Sequence, residues 1–263
     1  EYLFGEEKAM LEVIEGNEPL PRWLPPYLHG LFATAPQLGW QSHDGGPRSS
    51  PGGSGSNPTL VNNVETLSNI AHIVVRGAEW FRSMGTAESP GTVVTTVVGD
   101  VVAPDVGEVE MGTPLRAVID AVGSGLAVGR EIRAVFPGVA NAVVTATDLD
   151  VPVSYEGFAA IGSGMGSAGF IVYDDTTCMV DAAYRFSRFL SIESCGQCPP
   201  YKLGSSAITE HLERIETGRG DVADLNAITG WLSHVTDGSR CYLATEEQIM
   251  VTSILRAFPD EFT

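Results

Sequence analysis

Three cysteines and one tyrosine in the C-terminal third of the sequence could carry metal or redox chemistry. Cys195 and Cys198 stand in the stretch ESCGQCPPYKLG, Tyr201 follows three positions later, and Cys241 lies further along the chain. Their pattern is C-x2-C-x2-Y-x39-C. Three closely spaced cysteines with one remote cysteine commonly hold an iron–sulfur cluster, because the thiolates then surround it from both sides. Tyr201 occupies the place of the third cysteine in such a series.

The pattern alone leaves other interpretations open. Cys195 and Cys198 could form a disulfide or remain as unreactive thiols, and His211 or His234 could complete a zinc site with the three cysteines. Cys178 precedes a predicted helix that would hold it roughly 18 Å away from the pair, at about 1.5 Å per residue. We therefore expect Cys178 to be a packed thiol and not a ligand.

The composition is that of a globular protein with a strong negative charge. The 263 residues are 43% hydrophobic and 18% charged, with a formal net charge of −18. Nucleic-acid binding is disfavoured, because phosphate contacts need a basic surface. The sequence has no apolar run of about eighteen residues, so we expect no direct membrane insertion. Four cysteines are too few for a disulfide scaffold, which agrees with an expected cytoplasmic location.

The first part of the chain predicts two helices separated by irregular segments. EKAMLEVIEG has apolar residues at helical spacing and ends at Gly16. Residues 37–58 are dense in Gly, Ser and Pro, which is typical of a flexible surface insertion. The stretch TLVNNVETLSNIAHIVV then predicts a helix with a buried apolar stripe. The stripe consists of Val64, Leu67, Ile70, Ile73 and Val74.

The rest of the chain predicts a small α+β unit followed by helices. TVVTTVV, IRAVFPG and GFIVYDD are rich in β-branched and aromatic residues and predict strands, while TPLRAVIDAVG predicts a helix. Beyond Asp174, four amphipathic stretches with brief connections predict a bundle. The CxxC stretch falls between its first two helices and Cys241 between its last two. Thr245, with Gln248, predicts a capping box at the start of the last helix.

Five blocks stand here in the order and spacing of one protein family. They are YLFGEEKAMLEVIEG, PTLVNNVETLSNIAHI, GTPLRAVIDAVG, LDVPVSYEGFAAIGSGMGSAGFIVYDD and ESCGQCPP. The chain resembles the flavoprotein, NADH-binding subunit of NADH–quinone oxidoreductase (respiratory complex I), over the C-terminal two-thirds of such a subunit. The same module occurs in NAD-linked formate dehydrogenases and hydrogenases.

The resemblance implies an α+β fold in three parts. Residues 1–88 would be the C-terminal part of an α/β flavin- and NADH-binding domain, with the insertion at 37–58. Residues 89–173 would be a β-grasp domain of the soluble-ligand-binding type, and residues 174–263 a four-helix bundle with the iron–sulfur site. The glycine-rich nucleotide-binding segment of the family's flavin domain does not occur in this sequence. We therefore expect FMN and NADH to bind only where that segment is supplied.

The same resemblance implies electron transfer within a larger assembly. In the family, NADH gives a hydride to FMN and the electrons leave singly through a [4Fe-4S] cluster, which is cofactor chemistry and requires no catalytic side chain. The expected partners are other oxidoreductase subunits, including an iron–sulfur electron acceptor, with any attachment to the inner membrane made through them. The implied cofactor-binding residues are Gly5, Glu6, Glu7, Asn62, Asn63 and Glu65. Helix-terminal acids and helix-capping asparagines are the simpler interpretations of the same residues.

Tyr201 departs from the family pattern and leaves two functions open. In the first, Cys195, Cys198 and Cys241 ligate a cluster, either with one labile iron or in a three-iron form, and Tyr201 stands at the expected fourth ligand position. A phenolate can ligate iron, but tyrosine is protonated at neutral pH and is a harder ligand than thiolate. In the second, the chain is a cluster-less structural or partner-binding remnant of that subunit.

Overall fold

The computed structural model describes residues 2–35 and 55–262. The N-terminal part contains a short 3-10 helix, Tyr2–Gly5, and the helices α1 (Glu7–Ile14), α2 (Val64–Arg76) and α3 (Ala78–Arg82). The predicted surface insertion at 37–58 lies outside the described residues except for its last four positions. Within the described ranges, no helix is both long enough and apolar enough to cross a membrane.

One five-stranded mixed sheet forms the middle of the described chain. Its strands are β1 (Thr92–Gly99), β2 (Asp105–Glu110), β3 (Ile132–Pro137), β4 (Val144–Thr145) and β5 (Gly169–Asp174), in the spatial order β2-β1-β5-β3-β4. β1 and β5 are parallel, and the other neighbouring pairs are antiparallel. Two helices lie between these strands in the chain, α4 (Leu115–Gly123) and α5 (Tyr155–Ala160). The three predicted strands and the predicted helix are therefore confirmed.

The two faces of the sheet bury two different cores. Successive side chains of a strand point to opposite faces. On β3, Val135 joins the core that contains α4 and α5, whereas Ala134 and Phe136 join the core of the C-terminal helices. Phe136 lies 4.8 Å from Phe186 between ring centroids. The sheet is thus a layer between two sets of helices.

Four helices follow the sheet, as predicted. They are α6 (Met179–Glu193), α7 (Pro199–Glu216), α8 (Val222–Leu232) and α9 (Leu243–Ala257). We call them the helical region. The predicted capping box at Thr245 is wrong, because α9 begins at Leu243, two residues earlier. The helical region has its capping box at the start of α8 instead, where Asp221 accepts from the backbone of Asp224 and Asp224 accepts in return.

The α2 helix is where the sequence predicts it, but its predicted buried stripe is wrong. None of its residues is buried by the described parts of the chain. Val64 and Val74 are more than three-quarters exposed, and Leu67 is half exposed. The apolar periodicity identifies the helix correctly, yet a stripe is buried only where another element covers it.

Candidate metal centre

The structure brings Cys195, Cys198 and Cys241 to one end of the helical region. α6 ends at Glu193, Cys195 lies in the loop that follows, and Cys198 is the N-cap of α7. Cys241 lies two residues before α9. Cys198 is buried, the other two are half-buried, and all three are free thiols against the same core. We call these three cysteines the thiol site.

The loop between α6 and α7 has a defined shape. Gly196 has a φ of +81°, a left-handed conformation that favours glycine. Pro199 and Pro200 are the first two residues of α7, where a missing backbone N–H leaves no hydrogen bond unmade. Tyr201 therefore stands in the first turn of a helix, and the helix fixes the direction of its side chain.

Tyr201 is buried and its hydroxyl is already engaged. Only 4% of the residue is exposed, and its hydroxyl donates a hydrogen bond of 2.6 Å to the backbone oxygen of Leu190. Leu190 is in the last turn of α6, where carbonyl groups lack partners within the helix. The Nζ of Lys202 donates to two further carbonyls at this end of α6, those of Ser191 at 3.2 Å and Ser194 at 3.5 Å. Two neighbouring side chains of α7 thus cap the end of α6.

The surroundings of the thiol site favour protonated groups. Burial, with added repulsion from Glu247 and Cys241, raises the pKa of Tyr201 well above its usual range. Burial also raises the pKa of Cys241 to about 11, and the nearby carboxylate of Glu6 acts in the same direction. The pKa of Glu246 is raised to about 7, again mainly by burial. At neutral pH the phenol and the Cys241 thiol both retain their protons.

The N-terminal segment packs directly on the helical region beside the thiol site. The Tyr2 ring meets Phe189 of α6 edge to face, with 5.1 Å between centroids. The Tyr2 hydroxyl donates to Glu246 of α9 at 3.1 Å, and its backbone N–H donates to Glu193 at 3.3 Å. The segment is therefore attached to α6 and α9, two of the three helices that border the thiol site.

A second set of contacts fixes α1 and the chain that follows it. Lys8 donates through its Nζ to the backbone oxygen of Arg240, the residue before Cys241. The Nε2 of Gln197 donates to the backbone oxygen of Pro21 at 3.2 Å and lies 3.7 Å from the Sγ of Cys195. The acidic stretch predicted to lie near flavin and the cysteines predicted to hold iron are consequently neighbours.

The predicted cofactor-binding acids differ in what they contact. The Oε2 atom of Glu6 is buried and has no hydrogen-bond partner among the described residues. Burial raises the pKa of Glu6 above its ordinary value. Glu7 lines a separate open cavity of about 270 Å³ together with Tyr27, Leu60 and Val61. Glu6 therefore has an unused acceptor atom, and Glu7 faces open space.

The second predicted group has structural contacts at the start of α2. Asn63 is the N-cap and accepts a 2.7 Å hydrogen bond from the backbone N–H of Glu65. Asn62 accepts from the backbone of Asn63 at 2.8 Å. The Oε1 of Glu65 accepts from the backbone N–H of Val94, which joins α2 to β1. The alternative interpretation of Asn63 as a helix cap is therefore confirmed.

The zinc interpretation has no support in the described part of the chain. There, no three His, Cys, Asp or Glu side chains lie close enough together to hold one metal ion. His211 is engaged with Asp224, with 2.7 Å from its Nδ1 to the carboxylate. His234 lies after α8 and its side chain is 72% exposed. Cys178 also differs from expectation, since it is exposed instead of packed.

A [4Fe-4S] cluster of the family type needs four ligands, and the donor set at the thiol site does not provide them. Three thiols are present, and the fourth position holds a buried phenol that donates to Leu190. The phenol could reach iron only by leaving that carbonyl and losing its proton. The residues do not fit a four-ligand cluster.

Comparisons with known proteins identify the class of protein that the chain resembles. Its members are subunits of NADH- and NADP-linked oxidoreductases. Residues 181–263 match the family described as the NADH-ubiquinone oxidoreductase-F iron-sulfur binding region. Over 99% of its length the chain is 36% identical to an NADH-quinone oxidoreductase subunit of Rhizobium meliloti and 36% identical to the NADP-reducing hydrogenase subunit HndC of Solidesulfovibrio fructosivorans. It covers 57% and 49% of those two proteins.

A solved structure gives the same result. A chain of a NAD+-reducing [NiFe]-hydrogenase in the H2-reduced state superposes with a TM-score of 0.81 at 28% identity, over 99% of this chain and 41% of that one. The particular resemblance predicted from the sequence, to the flavoprotein subunit of NADH–quinone oxidoreductase, is thereby confirmed. The chain spans about half the length of the curated relatives that it matches.

The sequence interpretation missed Glu247, which is fully buried inside the helical region. Its Oε1 accepts a 2.6 Å hydrogen bond from the hydroxyl of Ser187 on α6. A signal was available, since Leu243, Glu247 and Met250 follow one another at spacings of four and three along α9. A residue within such a stripe faces the core of a packed helix, whatever its polarity.

Proposed function

We propose that this chain is part of an NADH-oxidising subunit of a multi-subunit oxidoreductase. The similarity over 99% of the chain to NADH-quinone oxidoreductase and hydrogenase subunits supports this proposal. The observation that carries it is the packing of the N-terminal segment against the thiol site, through the contacts of Tyr2 and Lys8. The segment that would lie near flavin in this proposal is thus fixed to the helical region.

In this proposal, the side chains near α1 hold the cofactor and the rest of the chain holds those side chains in place. Glu6 has a buried acceptor oxygen without a partner in the described residues, which suits a ribose hydroxyl or a ring N–H of a bound nucleotide. Gly5 would allow close approach, because an added Cβ there has no neighbour within 4 Å. Bound FMN would supply the step from a two-electron donor to one-electron transfer. The entrance to this nucleotide site would be lined by Glu7, Asn62, Asn63 and Glu65.

The three-part division predicted from the sequence belongs to the same proposal. Residues 1–88 would be the flavin-side part, 89–173 the β-grasp part around the sheet, and 174–263 the helical iron–sulfur part. The two cores on the two faces of the sheet support a boundary near residue 174. The partners would be other subunits, one of them an iron–sulfur electron acceptor. We place the chain in the cytoplasm, with any membrane attachment made through those partners.

A second candidate function is a cluster-less structural or partner-binding role in such an assembly. One observation favours it: the hydroxyl of Tyr201 is committed to Leu190 and does not face an open ligand position. In that role the helical region would keep its contacts with the N-terminal segment and with the sheet. Electron transfer would then take a route that does not use the thiol site.

The test is NADH oxidation by the protein in its native assembly, with an artificial one-electron acceptor. We expect activity that depends on FMN and a raised KM for NADH in a Glu6→Gln variant. Glu18→Gln is the matched control, because Glu18 is an exposed acid on the same segment. An assembly that binds neither FMN nor NADH would contradict the proposal, and so would unchanged kinetics in Glu6→Gln.

A further inference from the structure

The side chain of Tyr201 connects α6 and α7 beside the thiol site. A cluster ligand connects the loop before α7 to the remainder of the site. Here the Tyr201 ring is part of the buried core of the helical region, and its hydroxyl joins α7 to the last turn of α6 through Leu190. Lys202 repeats the connection one residue later, through Ser191.

A buried polar network continues this connection one turn further into the helical region. The hydroxyls of Ser187 and Thr209 lie 2.8 Å apart and join α6 to α7. The Ser187 hydroxyl also lies 2.6 Å from the carboxyl of Glu247 on α9. Thr209 donates in turn to the backbone oxygen of Ser205. Three of the four helices are therefore tied together by side chains beside the place where a cluster would be.

The remaining side of the thiol site is also closed by protein. Tyr2 covers α6 and α9, and Lys8 binds the backbone next to Cys241. The N-terminal segment therefore borders the thiol site with hydrogen bonds of its own, made by Tyr2 and Lys8.

We propose that the helical region of this chain is an iron-independent fold, in which Tyr201 replaces the cluster as the connection between α6 and α7. The region then holds the N-terminal segment and the sheet in position without conducting electrons through the thiol site. This inference goes beyond the proposed NADH oxidation and does not depend on it. The three cysteines remain thiols.

The experiment uses the full chain, purified anaerobically and then incubated with ferrous iron and sulfide. We expect no stoichiometric iron or sulfide, no EPR signal after reduction, and a melting temperature that neither reconstitution nor an iron chelator changes. A Tyr201→Cys variant, which supplies the fourth thiol, should bind about four irons per chain. Tyr201→Phe keeps the ring and should remain free of iron, like the parent chain.

Stoichiometric iron and sulfide in the parent chain would overturn the inference, and so would a melting temperature that falls on chelation. If Tyr201→Cys does not fold, the parent chain still decides, because its iron content and its response to chelator are measured without any variant. NADH oxidation by the native assembly is a separate measurement. Its failure would contradict the proposed function and leave this inference as it is.

Discussion

Two amphipathic helices with similar sequence patterns have opposite surroundings in this molecule. The stripe of α6, which includes Met179, Phe186 and Leu190, is covered by α7, α9 and the sheet. The stripe of α2 is left open by the described residues, with Leu67 half exposed. Periodicity predicts that a helix has an apolar face, whereas only the rest of the assembly decides whether that face is covered. The apolar face of α6 is therefore covered within the described chain, and that of α2 is not.

The largest expected effect comes from matched truncations of leucine on these two helices. Leu190→Ala removes a fully buried side chain and should lower the free energy of unfolding by about 4 kcal/mol. Leu67→Ala on α2 should change it by less than about 0.5 kcal/mol. Chemical denaturation of the full chain measures both. Equal losses would mean that the two faces are equally buried, which would contradict the difference in burial between α6 and α2.

The next effect is a pH dependence due to Glu247. Burial raises its pKa to about 8 in the folded chain, from an ordinary value of 4.5. The folded state keeps this proton to higher pH than the unfolded state does. Stability is therefore complete below about pH 4.5 and is lost as the pH rises toward 8, by roughly 3 kcal/mol between pH 5 and 8. Glu246, with a pKa raised to about 7, acts in the same direction.

Denaturation midpoints across this pH range in the parent chain and in Glu247→Gln measure the effect. The variant should show a much flatter curve, because the amide does not ionise. Leu67→Ala is the background control and should keep the slope of the parent. A parent chain whose stability rises from pH 5 to 8 would show that Glu247 is not a buried neutral acid.

The smallest expected effect compares two helix caps. Asp221 caps α8 in the packed helical region, and Asn63 caps the uncovered α2. Asp221→Ala should cost about 1 kcal/mol in global unfolding. Asn63→Ala should cost less than half as much, because α2 contributes little to the cooperative core. The reverse order, measured under the same denaturation conditions, would contradict this division of the molecule.

The sequence predicts most of the elements because local patterns determine them. β1 and β5 were evident from β-branched and aromatic runs, and α6 to α9 from apolar spacing. The start of α9 was predicted wrongly. Thr245 and Gln248 have the residue types of a capping box, but the helix begins at Leu243. A cap is a geometric relation to the backbone, so a suitable pair of residues is only one of its conditions.

The sequence predicted which residues belong to the candidate site, but it did not predict the contacts between them. The spacing located Cys195, Cys198 and Cys241, and they do share one end of the helical region. The bond from Tyr201 to Leu190 joins residues that belong to different helices, so no local pattern specifies it. The assignments of a buried stripe on α2 and a packed thiol at Cys178 failed for the same reason, since both depend on which elements become neighbours.

We infer that side chains alone hold the helical region together. Amide hydrogen exchange on the iron-free full chain, before and after addition of iron and sulfide, tests it most directly. We predict strong protection in the last turn of α6 and in α7, comparable to that in α9, with no change on addition. Exchange in α6 and α7 at the rate of an unfolded chain, slowed only by iron and sulfide, would contradict the claim.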